Sequence, residues 1–157
     1  MRFVATLAFS ASGEFVAMVK KQTKTLPHLN GRWNGIGGKM ESGESPVGAA
    51  MREFTEETGI VVTKEDMVFV EHQRFVNGVG VPDGRYCEGD EIYWYATILP
   101  SFSNLPWVND AGEKLRWMRV EEEDMQVEPG FPLCPNLDYL IPKAIVFLRT
   151  PYLDRPA

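Results

Sequence analysis

The sequence predicts an α/β or α+β sandwich in which a mixed sheet lies between helices. Three observations predict it. Apolar, β-rich runs recur along the 157-residue chain, one segment carries a full set of helix start and stop signals, and a later segment has helical spacing of large apolar residues. With 44% hydrophobic and 24% charged residues the chain can build one core, so a single domain over residues 1–157 is expected.

Taken in order, Arg2 to Phe9 and Glu14 to Lys20 read as two strands joined at "SASG". The opening run has the outline of a secretory leader. Its apolar stretch is of minimum length, however, little positive charge precedes it, and a second strand follows Gly13 as in a hairpin. Residues 20–32, "KKQTKTLPHLNGR", form a polar connector. Pro46 to Thr58 is expected to be helical, because Ser45 can cap it, Pro46 loses nothing at the first position and Gly59 can close it in a left-handed conformation. "MVFVEHQRFV" and "EIYWYATIL" are strands separated by "NGVGVPDGRYCEGD", a long turn or a loop over a site. "KLRWMRV" is a further short strand, "EEEDM" a short helix start, and "VEPGFPLCPN" a proline-punctuated loop. Leu137, Leu140, Ile141 and Ala144 define a last helix despite Pro142, and the tail "PYLDRPA" should be frayed.

A formal net charge of −6 argues against a surface for polymeric nucleic acid, which needs a basic patch. A phosphate-bearing partner must then be small, or arrive with cations. No segment is long enough to span a membrane. Cys87 and Cys134 have no metal-ligand spacing, so free thiols in a reducing cytoplasm are expected.

Five glutamates fall between Gly37 and Ile60. On the expected helix, at about 100° per residue, Glu53, Glu56 and Glu57 share an arc of about 100°, while Val47, Met51, Phe54 and Thr58 share another face. Glu44 precedes the helix and can swing over the acidic face, and Arg52 can hold Glu56 in a planar fork. A solvated face is the ordinary meaning of a charge run, but such faces mix signs, and Glu53 stands one turn from Glu57. A hard divalent cation held by carboxylate oxygens removes that conflict.

Gly38, Glu44 and "REFTEETGI" together resemble the complete Nudix signature, with every fixed position filled. The resemblance implies an α/β/α sandwich with a mixed sheet, and hydrolysis of a nucleoside diphosphate linked to another group with Mg²⁺ or Mn²⁺. It also implies metal ligands at Glu56 and Glu57, with a backbone carbonyl of Gly37 or Gly38 offered from a turn. Glu53 and Glu44 then remain for further ions or for deprotonating the attacking water, and Arg52 belongs to the same catalytic group. The family's loop acid corresponds best to Glu113, with Asp110 as runner-up, against the plain alternative of a solvated loop glutamate. "GRWNGIGGK" resembles the branch that hydrolyses nucleoside triphosphates, including oxidised purine nucleotides, where the residue matching Asn34 contacts the base. Lys39 can touch phosphate or pair with a neighbouring glutamate, and Trp33, Trp94 and Trp107 are expected to pack rather than stack on a base. ADP-ribose or a dinucleotide is the rival substrate, and a nucleotide-binding module without turnover the rival class.

Overall fold

The computed structural model describes residues 1–22, 29–75, 89–100, 105–120, 133–134 and 136–150. In chain order it contains β1 (Arg2–Ser10), β2 (Phe15–Lys20), β3 (Trp33–Asn34), α1 (Pro46–Thr58), a 3₁₀ turn (Lys64–Asp66), β4 (Val68–Arg74), β5 (Glu91–Leu99), β6 (Leu115–Arg119) and α2 (Leu137–Arg149). Every expected strand in the described residues is present, and so are both long helices. β3 is an addition, too short at two residues for any alternation to show. Much of the connector, the loop around Pro82 with Cys87, the helix start at residues 121–125, most of the proline-punctuated loop and the tail from residue 151 lie outside the described residues.

The sheet is mixed. β1 runs parallel to β5 from Arg2↔Glu91 to Ser10↔Leu99, whereas β1–β2, β2–β3, β2–β6 and β4–β5 are antiparallel. Alternation along β1 builds two cores: Phe3, Ala5, Leu7 and Phe9 pack with Leu137, Leu140, Ile141 and Ala144 of α2, and Val4 and Ala8 pack with Ala49, Ala50 and Phe54 of α1. The result is an α/β/α sandwich. Pro142 lies within α2 at an exposed position, so its ring displaces no core side chain, although the helix forgoes one N–H donor there.

One irregularity positions the site. β1 pairs with β2 only at Ala8↔Ala17 and Phe9↔Val16. Nearer its start the same strand takes the incoming chain instead: Val4 N–H donates to Gly38 O at 2.9 Å, Thr6 N–H to Ile36 O at 2.7 Å and Met40 N–H to Arg2 O at 2.9 Å. Just upstream, Trp33 and Asn34 pair with Lys20 and Val19 of β2. Residues 33–40 therefore cross from β2 to β1 and hold the two strands apart.

Candidate active site

A cavity of ≈ 300 Å³ opens at this divergence. Glu53, Glu57, Glu113, Lys21 and Lys39 supply its charge, Phe3, Ala5, Leu29 and Ile92 its apolar lining, and Asn34 also faces it. α1 delivers the first two carboxylates. Ser45 Oγ accepts Gly48 N–H at 3.2 Å at its start, and Gly59, at φ 72°, donates its N–H to Thr55 O at 2.8 Å at its end. With Ala49, Ala50, Phe54 and Thr58 buried, the helix turns Glu53 and Glu57 into the cavity and leaves Glu56 largely exposed.

Two cations of the chain divide the carboxylates between them. Arg52 grips Glu44 with two bonds, Nε to Oε1 at 2.8 Å and Nη2 to Oε2 at 3.0 Å, and its Nη1 reaches Glu53 at 2.9 Å and Glu56 at 3.2 Å. The planar fork expected on Glu56 is thus spent on Glu44, which swings over the helix and presents both oxygens; Glu56 receives only one edge. Lys21 is the second cation, and no pattern in the polar connector distinguished it. Its ammonium donates to Gly37 O at 2.9 Å and lies 3.6 Å from Glu57 and 3.8 Å from Glu113.

The electrostatics follow from this division. Burial pushes the Glu57 carboxyl up to about 7; Lys21 opposes the shift, while Glu113 and Glu53 add to it. Burial also raises Glu53, against the pull of Arg52. Glu44 is held below the usual carboxylate range by its bonds from Arg52 and from Glu41 N–H. Glu57 Oε2 is buried without a hydrogen-bond partner among the described residues. Carboxylates and a peptide carbonyl are hard oxygen donors, so this set fits a hard divalent cation. Among the described residues no three acidic groups already converge on one point, because Arg52 and Lys21 draw them to separate sides.

Gly37 and Gly38 do not form the expected turn; they lie along β1 in strand-like pairing, because the neighbouring edge of β1 is open to receive them. Glycine is needed for close approach. A Cβ on Gly37 would stand 2.1 Å from Val4 O, and one on Gly38 would stand 2.7 Å from Glu53 Oε2. The Gly38 carbonyl accepts the N–H of Val4, whereas that of Gly37 accepts Lys21 within the cavity.

Glu113 is not a solvated loop residue. It is 5% exposed, with Oε2 accepting Gln22 N–H at 2.7 Å and its own N–H bonded to Asn109 Oδ1 at 2.8 Å. Asp110, next in the same loop, is exposed and does not line the cavity. Asn34 accepts Gly35 N–H at 2.9 Å and also lines the cavity, so the turn-shaping and ligand-facing readings meet in one residue. Lys39 is exposed at the rim and makes no ion pair among the described residues, contrary to the expected pairing; Arg52 has already taken the nearby carboxylates. Trp33 and Trp94 are buried as expected. Trp107 is 80% exposed, because it lies in the loop before β6, where its carbonyl bonds Leu115 N–H while its ring meets solvent. Cys134 is a free, buried thiol pushed up to about 12 by burial, and no helix among the described residues is long and apolar enough to cross a membrane.

Comparison with known proteins agrees with this architecture. The family model described as NUDIX domain matches residues 1–136. The NUDIX domain of Shewanella oneidensis NrtR, solved as a cocrystal with ADP ribose, is similar at TM-score 0.70 and 18% identity over 94% of this chain and 88% of that one. A MutT/nudix family protein from Enterococcus faecalis gives 0.65 and 16% over 92% of this chain, which spans only 60% of that longer protein. A MutT structure from work on Aliivibrio salmonicida and Vibrio cholerae gives 0.60 and 20%, covering 92% and 95%. At these identities the likeness is one of fold. The signature from Gly38 to Ile60 together with a model match across most of the length makes the chain a member of the NUDIX domain family.

Proposed function

We propose that this Nudix hydrolase cleaves a nucleoside triphosphate, with oxidised purine nucleotides among the candidates, to the monophosphate and pyrophosphate in a reducing cytoplasm. One observation carries the reading: a single cavity joins an acidic, cation-fitting region to an apolar region with the Asn34 amide in its lining. Phosphates and their cation suit the first. A flat, largely apolar base suits the second, and an amide can read its edge.

Glu56, Glu57 and the Gly37 carbonyl are the groups that would hold Mg²⁺ or Mn²⁺, with Glu53 and Glu44 available for a further ion and the Gly38 carbonyl committed to β1. When bound, such an ion lowers the pKa of water and neutralises charge on the phosphoryl group. In the reaction a water oxygen bonds to phosphorus, the anhydride P–O bond breaks towards the leaving phosphate, and the water proton passes to a carboxylate. We assign that proton to Glu113, a reading supported by its bonds with Gln22 N–H and Asn109 and by its position 3.8 Å from the Lys21 ammonium. Glu53 and Glu44 are the alternatives, and Arg52 positions both of them.

The test is a panel of nucleoside triphosphates, oxidised purine triphosphates, ADP-ribose and dinucleotides with Mg²⁺, read by product chromatography. Preferential release of pyrophosphate from a triphosphate supports the proposal. Cleavage of ADP-ribose alone would transfer the reading to the ligand seen with the Shewanella oneidensis domain. Tight binding with no product across the panel would make the protein a binding module.

A further inference from the structure

The Lys21 ammonium occupies the space between the Gly37 carbonyl, Glu57 and Glu113, two of which are groups assigned above to a cation. Lys21 leaves the end of β2 clamped on both sides: its N–H donates to Arg32 O, Gly31 N–H to Lys21 O, and the neighbouring Gln22 N–H to Glu113. Its side chain is only 12% exposed, and its ammonium contacts the Gly37 carbonyl, Glu57 and Glu113. The fit is incomplete. At 3.6 Å from Glu57 Oε1 the ammonium pairs by charge rather than by a hydrogen bond, and Glu57 Oε2 has no hydrogen-bond partner among the described residues. One positive charge also faces two carboxylates, so the group leaves negative charge uncompensated.

We propose that Lys21 is the resident counter-ion of the metal-free site: its ammonium holds Glu57, Glu113 and Gly37 together until a divalent cation displaces it. The inference rests on the cation-site reading above and is independent of which nucleotide is cleaved. A small dication can approach carboxylate oxygens more closely than an ammonium and brings twice the charge, so exchange is favourable once the ion is abundant. The same ammonium lowers the affinity of the site, because the incoming ion must replace an attraction already made. Lys21 thereby sets the cation concentration at which the site fills, and keeps the acidic wall from repelling itself apart before that point.

The experiment needs no substrate. Chelator-treated wild type and Lys21→Met, which retains most of the apolar stem, are compared at pH 8 by melting temperature and by Mn²⁺ binding read from the paramagnetic resonance of the free ion. Lys21→Met should melt lower without metal yet bind Mn²⁺ at least about tenfold more tightly. Should that variant fail to fold, selectively labelled lysine in the wild type gives an independent answer. The Lys21 side-chain resonance should move, and its mobility rise, as Mg²⁺ is added. An unchanged or weaker Mn²⁺ affinity in the folded variant, or a Lys21 resonance unmoved at saturating Mg²⁺, overturns the proposal. Wild type that binds no Mn²⁺ overturns the cation site itself, a separate outcome.

Discussion

Glu57 is the carboxylate on which the metal-free site is most finely balanced, and replacing it by glutamine should make the protein less sensitive to pH. Burial drives its carboxyl from the ordinary 4.5 to about 7, although Lys21 pulls the other way. The sign follows from proton counting. Between those two values the native state holds a proton that the unfolded state has released, so stability falls as pH rises through the interval. At about 1.4 kcal/mol per unit, the interval amounts to about 3 kcal/mol. For a chain of this size that corresponds to a melting shift of about 6–12 °C.

The assay is urea unfolding of chelator-treated wild type and Glu57→Gln from pH 4.5 to 8. Subtracting the two curves cancels the distant groups and leaves the titration of Glu57 together with its coupling to Lys21, Glu113 and Glu53. Relative to the variant, wild type should lose about 3 kcal/mol across this range, and saturating Mg²⁺ should remove the loss because the ion binds only the deprotonated carboxylate. A difference that stays flat would show that Lys21 cancels the burial effect. A difference that rises with pH would show that the attraction to Lys21 wins outright, and would refute the reasoning.

Glu113→Gln should lower kcat more than it raises KM, while Asp110→Asn leaves both near wild type; steady-state kinetics with the best substrate of the panel decides, and the reverse ranking would move the loop acid to Asp110. Gly37→Ala should destabilise by about 1–3 kcal/mol or more, since its Cβ meets the fixed backbone of Val4 and Ala5, whereas Gly38→Ala meets only the movable carboxylate of Glu53. Gly38→Ala should therefore melt near wild type and lose turnover or cation affinity; a large fall in its melting temperature would contradict this. Asn34→Ala should raise KM selectively for the preferred purine substrate, a loss of discrimination of about 1–3 kcal/mol, and a uniform loss across the panel would confine Asn34 to its bond with Gly35.

Features written locally in the sequence were legible. The cap at Ser45, the left-handed Gly59 and the spacing of Phe54 and Thr58 all act within a few residues of one another, so the bounds of α1 were legible, whereas helical geometry grouped Glu56 with Glu53 and Glu57 and could not show that only the latter two face the cavity. The α2 face built on Leu137, Leu140, Ile141 and Ala144 was legible for the same reason. Sheet order was not. Nothing in "RFVATLAFS" marks its parallel partner as "EIYWYATIL", because the pairing is decided by how both strands cover two helices at once. Nor does the "GIGGK" run show that its glycines lie along β1, since the clash with Val4 O exists only after β1 and β2 have parted.

The concentration of like charge near α1 raises the question of what neutralises it, and the two answers differ in legibility. Arg52 is four residues from Glu56 on the same helix, so its role could be foreseen, although its stronger grip on Glu44 depends on how the preceding loop folds back. Lys21 is 36 residues from Glu57 and 92 from Glu113, and it meets both only because β2 ends between the chain at Gly31–Arg32 and the start of β6. Composition could show that a cation was needed but not that the chain supplies a provisional one. The distances fit a provisional role: the ammonium hydrogen-bonds the Gly37 carbonyl at 2.9 Å but stands 3.6 and 3.8 Å from the two carboxylates, and it is those loosely held oxygens that an ion of higher charge can approach more closely.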